Sequence, residues 1–256
     1  MATSLTLGAS GADVNPLLVE STAPHGAPQF TQITNEHYKP AFEQAVREAR
    51  ADIAAIVGNA QAPTFANTIE ALEFSGRRLD RISNIFFNLN EAHTNDTMQA
   101  LALELSPMLT EFSNDVSLDP KLFARVKAVY DRRESLGLNA EQRRLLEKTY
   151  KDFARNGAAL SETDKKTYRE LTAKLSQLTQ KFNQNTLGAT NAFILHITDS
   201  AQVAELPDFV REGAAAEAKE RNLEGWVVTL QYPSMSPFMM YSSNRELKEK
   251  LWKAYN

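Results

Sequence analysis

The sequence predicts a mainly α-helical protein, an antiparallel helical array carrying one small two-stranded β ribbon. Three observations predict it. Apolar residues recur at spacings of three and four through most of the chain, helix-opening signals stand just before those runs, and the connections are short enough to favour antiparallel neighbours. The 256 residues, 43% hydrophobic and 23% charged, suffice for one large core or two modest ones and are too apolar for wholesale disorder.

Residues 1–14 read as a flexible leader: they have neither the basic start nor the continuous apolar run of a signal peptide. The first long helix is predicted from about His37 to Val57, with Pro40 in its opening turns and Gly58-Asn59 as its stop. Asn67 followed by Glu70 has capping-box spacing. From there Ile69, Leu72, Gly76, Leu79, Ile82, Phe86 and Leu89 form one apolar stripe, read as a single helix of about 20 residues. The next helix runs from about Asp96 to Val116, with a kink expected at Pro107.

Asp119-Pro120 is a cap followed by proline at the first helical position, where its missing N–H costs nothing, and Leu122, Phe123, Val126 and Val129 mark the buried side. Asn139 with Gln142 opens another helix, carrying Leu146, Tyr150 and Phe153. Ser161 with Asp164 opens the longest, and Tyr168, Leu171, Leu175, Leu178 and Phe182 repeat along it as in a helix packed on an antiparallel neighbour. These helices make a lobe over residues 15–188. After Gly188 the pattern changes, and residues 189–256 read as strand, helix, strand, helix. The strands are Ala192–Thr198 and Trp226–Tyr232, paired antiparallel, with a helix from about Pro207 to Asn222 between them. Pro233 to Met240 reads as a Met-rich loop used in packing. Ser243 with Glu246 opens a last helix whose apolar run is still going at Asn256, so the polypeptide is expected to be a truncated one, with an apolar face left open near Leu251, Trp252 and Tyr255.

Composition and motifs exclude more chemistry than they suggest. No cysteine is present, so disulfides, thiolate metal sites and a cysteine nucleophile are out. No stretch reaches the about 18 apolar residues of a membrane span. Net charge is −4, but residues 121–181 alone carry +7. Arg143, Arg144, Lys148 and Lys151 interleave there with Glu141, Glu147 and Asp152, the pattern of a solvated helix face and not of a nucleic-acid footprint. The histidines, His25, His37, His93 and His196, include no pair four residues apart, so the HExxH zinc motif is missing. His93 reads as a helix-end residue and His196 as a hydrogen-bonded strand residue. Glu70 and Glu73 read as solvated carboxylates. The sequence holds no GxSxG, P-loop or GxGxxG. No catalytic, cofactor-binding or metal-binding residue is assigned within the chain.

Several stretches together resemble one family. Asn15-Pro-Leu-Leu18, with Phe30, Ile33, Glu36-His37-Tyr38 and Pro40-Ala41-Phe42, is similar to the start of the thimet-oligopeptidase-like zinc metallopeptidases. Pro63-Thr-Phe-Ala-Asn-Thr-Ile-Glu-Ala-Leu-Glu73 followed by Ser75-Gly76 is the most telling segment. Phe86-Phe-Asn-Leu-Asn-Glu-Ala-His-Thr-Asn-Asp96 and Arg132-Arg-Glu-Ser-Leu-Gly-Leu138 resemble the peptidyl-dipeptidase branch more than the oligopeptidase A branch. Lys181-Phe-Asn-Gln-Asn185 and Asn244-Arg-Glu-Leu-Lys-Glu-Lys-Leu251 continue the match in order. The resemblance implies the N-terminal lobe of a clam-shaped, nearly all-α enzyme, and the absence of a signal peptide favours the cytoplasm. Such enzymes hold zinc by HExxH and a downstream Glu, and the peptidyl-dipeptidases among them release dipeptides from the C-termini of short peptides. All of those metal ligands belong to a C-terminal catalytic region that this sequence lacks. The chain alone is therefore expected to bind no zinc and to be inactive, its partners in the full-length parent being short peptides and that missing region. The alternative reading is a stand-alone helical scaffold that binds other proteins.

Overall fold

The computed structural model describes residues 14–256, so the predicted leader lies outside the described residues except for Val14, which is exposed. The chain divides into two compact units, Met1–Gln180 and Lys181–Asn256.

In the first unit, α1 (Asn35–Val57) starts two residues before the expected point. The reason is a cap that the sequence hides: His37 Nδ1 accepts the Thr34 N–H at 3.0 Å, so an imidazole fills the place that Glu or Gln takes in the usual capping box. Ahead of it, Asn15 ties the entering chain down, accepting from Leu17 N–H (3.0 Å) and donating to the His37 carbonyl (2.7 Å). Ala41, Ala45 and Ala49, one per turn of α1 and all buried, let α3 (Arg77–Ala92) and α4 (Asp96–Ser117) approach closely. Between these helices lie Tyr38, Phe42, Leu79, Ile82, Phe86, Met98 and Leu105, all buried.

The stripe expected to run as one helix from Asn67 is broken. The chain makes a wide π-type turn over Phe65–Glu70, a short α2 (Ala71–Phe74), then a bend before α3. The cap is Thr64, whose hydroxyl accepts from Asn67 N–H (3.1 Å) while Asn67 Oδ1 accepts from Thr64 N–H (2.8 Å). Asn67 is thus the third residue of the box and not its first. The break falls at Gly76, whose φ of +68° costs a glycine little and whose N–H is taken by Asp52 Oδ2 at 3.1 Å. It lets one apolar stripe serve two cores. Leu79, Ile82 and Phe86 enter the α1–α3–α4 core, while Ile69 and Leu72 turn into a second one with α5 (Pro120–Tyr130) and α6 (Ala140–Arg155).

Both of those helices open as expected. Asp119 caps α5 (Pro120–Tyr130), accepting from Lys121 and Leu122 N–H. Asn139 and Gln142 exchange hydrogen bonds at the head of α6 (Ala140–Arg155). Leu122, Val126, Val129, Leu146 and Phe153 are buried between them, and Tyr130 stacks on Tyr150 with centroids 3.9 Å apart. Helix α4 runs as one element through Pro107, flanked by Ser106 and Thr110 hydroxyls that donate to the Ala102 and Ser106 carbonyls.

The longest helix, α7 (Glu162–Ala192), opens with Ser161 Oγ accepting from Asp164 N–H and continues through Gly188 to Ala192. Its apolar stripe is not packed as expected: Leu171, Leu175, Leu178 and Phe182 are 63%, 63%, 53% and 69% exposed.

In the second unit the predicted ribbon is present but shorter, the first strand at both ends and the second, which starts at Trp226 as expected, only at its C-terminal end. β1 (Ile194–Ile197) pairs antiparallel with β2 (Trp226–Thr229), Ile194 opposite Thr229 and Ile197 opposite Trp226. Between them α8 (Asp208–Glu220) lays Val210, Ala214 and Ala218 inward, and Asn222 closes it in the left-handed conformation. The Met-rich loop is instead a helix, α9 (Tyr232–Tyr241). Pro233 sits in its first turn, where proline is tolerated, and Ser234 Oγ accepts from Thr229 N–H at 3.0 Å. Phe238 is fully buried, with Met235 and Met239 against the same core. The last helix, α10 (Arg245–Tyr255), is capped by Asn244, one residue later than expected, because the Ser243 N–H is committed to Glu205 Oε1. Leu251 is buried, so of the face expected to lie open only Trp252 and Tyr255 are exposed.

Candidate functional site

The four histidines stand on separate elements. His25 lies in the Pro24–Gly26 turn with φ +60°, His37 is committed to the cap of α1, His93 follows the end of α3, and His196 lies on β1. The His196 Nε2 is 2.7 Å from the Glu224 carbonyl oxygen, the hydrogen-bonded strand role its alternation suggested. Among the described residues no three His, Asp or Glu side chains gather closely enough to hold a metal ion. The donor set therefore does not fit a zinc centre: two histidines are spent on backbone hydrogen bonds and none is paired with another.

Nor do the carboxylates converge on a reaction centre. A cavity of about 260 Å³ in the first unit opens where α2 gives way to α3. Its walls are mostly apolar, with Ile53, Leu72, Leu79, Phe112, Val116 and Phe153, and Asp80 and Asp152 also line it. Partial burial holds the Asp80 carboxyl above its ordinary value. No histidine or lysine lines the cavity, so neither carboxylate has there the basic partner that nucleophilic or acid–base chemistry needs. The basic stretch is threaded with ion pairs: Lys127 with Asp131 (2.6 Å), Arg143 with Glu134 (3.2 Å), Lys151 with Glu147 (3.8 Å) and Lys165 with Glu162 (3.0 Å). These pairs set opposite charge beside part of the basic set, the arrangement of a solvated helix face, while the stretch as a whole keeps its net +7.

An open cavity of about 410 Å³ in the first unit is lined by Asp115, Asp119, Glu162, Lys165, Lys166 and Arg169, with Lys165 paired to Glu162 and Arg169 to Asp115. The other features are surfaces. In the first unit it is the leucine stripe of α7. In the second it is an aromatic set, Phe209 edge-on to Tyr241, with Tyr232, Trp252 and Tyr255 also exposed. Reading the sequence missed that the stripe faces outward. The signal lay beside it, since Thr172, Ala173 and Ser176 on the neighbouring face are the small residues that let a helix pack closely.

Comparison with known proteins decides the relationship. No family model matches the chain. The dipeptidyl carboxypeptidase of Escherichia coli (strain K12) is 43% identical over 240 residues, 93% of this chain and 35% of that protein. Oligopeptidase A of the same organism is 28% identical over 242 residues, 94% of this chain and 35% of that protein. The chain is a homologue of the thimet-oligopeptidase family. Oligopeptidase A of Haemophilus influenzae, 31% identical over 230 residues, covers 90% of the chain, and the chain covers 34% of it. The chain thus spans about a third of the length of these thimet-oligopeptidase relatives, and the match runs through both of its units.

Proposed function

We propose that the chain is the N-terminal, non-catalytic lobe of a zinc peptidyl-dipeptidase. The whole enzyme would be cytoplasmic and remove dipeptides from the free C-termini of short peptides, the lobe forming one wall of the channel that admits them. The observation that carries this reading is 43% identity to a dipeptidyl carboxypeptidase across 93% of the chain, against 28% to an oligopeptidase A from the same organism. Three further points support it. The sequence contains no HExxH, its histidines are dispersed, and about two-thirds of the relative lies outside the match, room enough for the metal ligands. No helix among the described residues is long and apolar enough to cross a membrane. Zinc would polarise water for peptide hydrolysis, held by residues that this chain does not contain.

Extending the polypeptide to the length of its relatives tests the assignment. The extended protein is expected to release dipeptides from a peptide with a free C-terminus and to spare the same peptide when its C-terminus is amidated. Cleavage of both forms at internal bonds would place it with the endopeptidases instead. Cleavage of neither would remove the peptidase reading.

A further inference from the structure

Helix α7 packs with its polar side. Towards α4, Thr172 Oγ1 accepts from the buried Asn114 Nδ2 at 2.8 Å, and Arg169 pairs with Asp115 at 2.7 Å. One and two turns on either side, Lys165 is buried and Ser176 half-buried. The leucines are elsewhere. At about 100° per residue, Leu171, Leu175 and Leu178 cluster roughly a third of a turn away from Thr172 and Ser176, and more than half of each is exposed. Aliphatic side chains in a contiguous exposed row mark a contact surface rather than scatter.

The size of the row selects its occupant. The three leucines, even with Phe182 further along the same stripe, offer a few hundred Å², whereas a stable interface between separate molecules buries about 800 Å² on each partner. A second copy of the chain would find too little area here. A segment of the same polypeptide needs far less, because tethering supplies an effective concentration in the millimolar range. The relatives supply such a segment in length, since the chain covers only 35% of the E. coli dipeptidyl carboxypeptidase. We propose that Leu171, Leu175 and Leu178 are the docking face for the catalytic part of the same polypeptide. This inference rests on the reading of the chain as one portion of a longer peptidase. The exposed Lys174 borders the row, so the covering segment is expected to present a carboxylate beside its apolar residues.

The double substitution Leu171→Gln/Leu175→Gln keeps side-chain size and helix propensity and removes the apolar surface. In the 256-residue chain, where both positions face water, it is expected to move Tm by no more than about two degrees. In the extended polypeptide it should lower Tm by several degrees, while Leu171→Met/Leu175→Met, still apolar, leaves Tm within about two degrees of the parent's. An equal change in the short and extended chains would overturn the proposal. So would sedimentation showing the short chain as a dimer that the glutamine pair returns to a monomer, which makes a second copy the occupant. The readout is stability, so failure of the extended protein to release dipeptides would strike the peptidase reading alone and leave the Tm comparison standing.

Discussion

Phe86→Ala is expected to destabilise the first unit by about 3–5 kcal/mol, the largest effect of any single truncation in its core. Phe86 is fully buried at the junction of α1, α3 and α4. Its ring stands edge-on to Tyr38 (4.8 Å between centroids), Phe42 (5.7 Å) and Phe87 (5.0 Å), so alanine leaves a cavity and strips three aromatic contacts at once. The surrounding helices cannot collapse freely into that space, because Ala41, Ala45 and Ala49 already hold α1 close to its neighbours. Against a total stability of about 5–15 kcal/mol for a domain, such a loss moves the midpoint of urea unfolding far to the left. Far-UV circular dichroism, dominated by the helices of the first unit, is the measurement. A loss below about 1 kcal/mol would mean that the three-ring cluster is not the centre of the core.

Gly225→Ala is the counterpart in the second unit, through the backbone instead of packing. Gly225 stands immediately before β2 with φ +88°, a conformation that alanine adopts only under strain. A Cβ there would lie 2.4 Å from the Ile197 carbonyl oxygen on the paired strand, a backbone atom that cannot swing aside. Strain and clash together are expected to cost about 3 kcal/mol or more and to open the ribbon at the Ile197–Trp226 end. Both tryptophans of the chain, Trp226 and Trp252, lie in this unit, so fluorescence reads it separately from the helical signal. An unchanged fluorescence transition in the alanine variant would show that the ribbon tolerates the wider spacing.

The elements that were legible in the sequence are those whose cue is local. Asp119-Pro120 and Asn139 with Gln142 open α5 and α6 as expected, because a cap and its partners lie within three residues of one another. The two strands stood out for the same reason, as short β-branched and aromatic runs bounded by turn residues. What was misread depends on contacts between distant residues. The break at Gly76 is held by Asp52, which lies on α1, and a stripe divided between two cores looks continuous when only its spacing is visible. The cap of α10 moved to Asn244 because Glu205 claims the Ser243 N–H from 38 residues away. Helix α9 was hidden by two prolines, of which Pro233 fits the first turn and Pro237 is carried by the burial of Phe238. The outward leucines of α7 were unreadable because periodicity states that a helix has an apolar side and not what covers it. The hydrogen-bonded role of His196 was readable from its alternation along a strand, whereas the part of His37 in the cap of α1 was not, because an imidazole there replaces the usual Glu or Gln.

The most direct test of the account is zinc content, measured by elemental analysis on the purified 256-residue chain and on its extended counterpart after exchange into metal-free buffer, with hydrolysis of a free tripeptide followed in parallel. The account predicts no retained zinc and no cleavage in the short chain, and about one zinc per molecule with chelator-sensitive dipeptide release in the extended one. One zinc per molecule in the short chain, or cleavage by it that a chelator abolishes, would contradict the assignment of the metal centre to residues outside it.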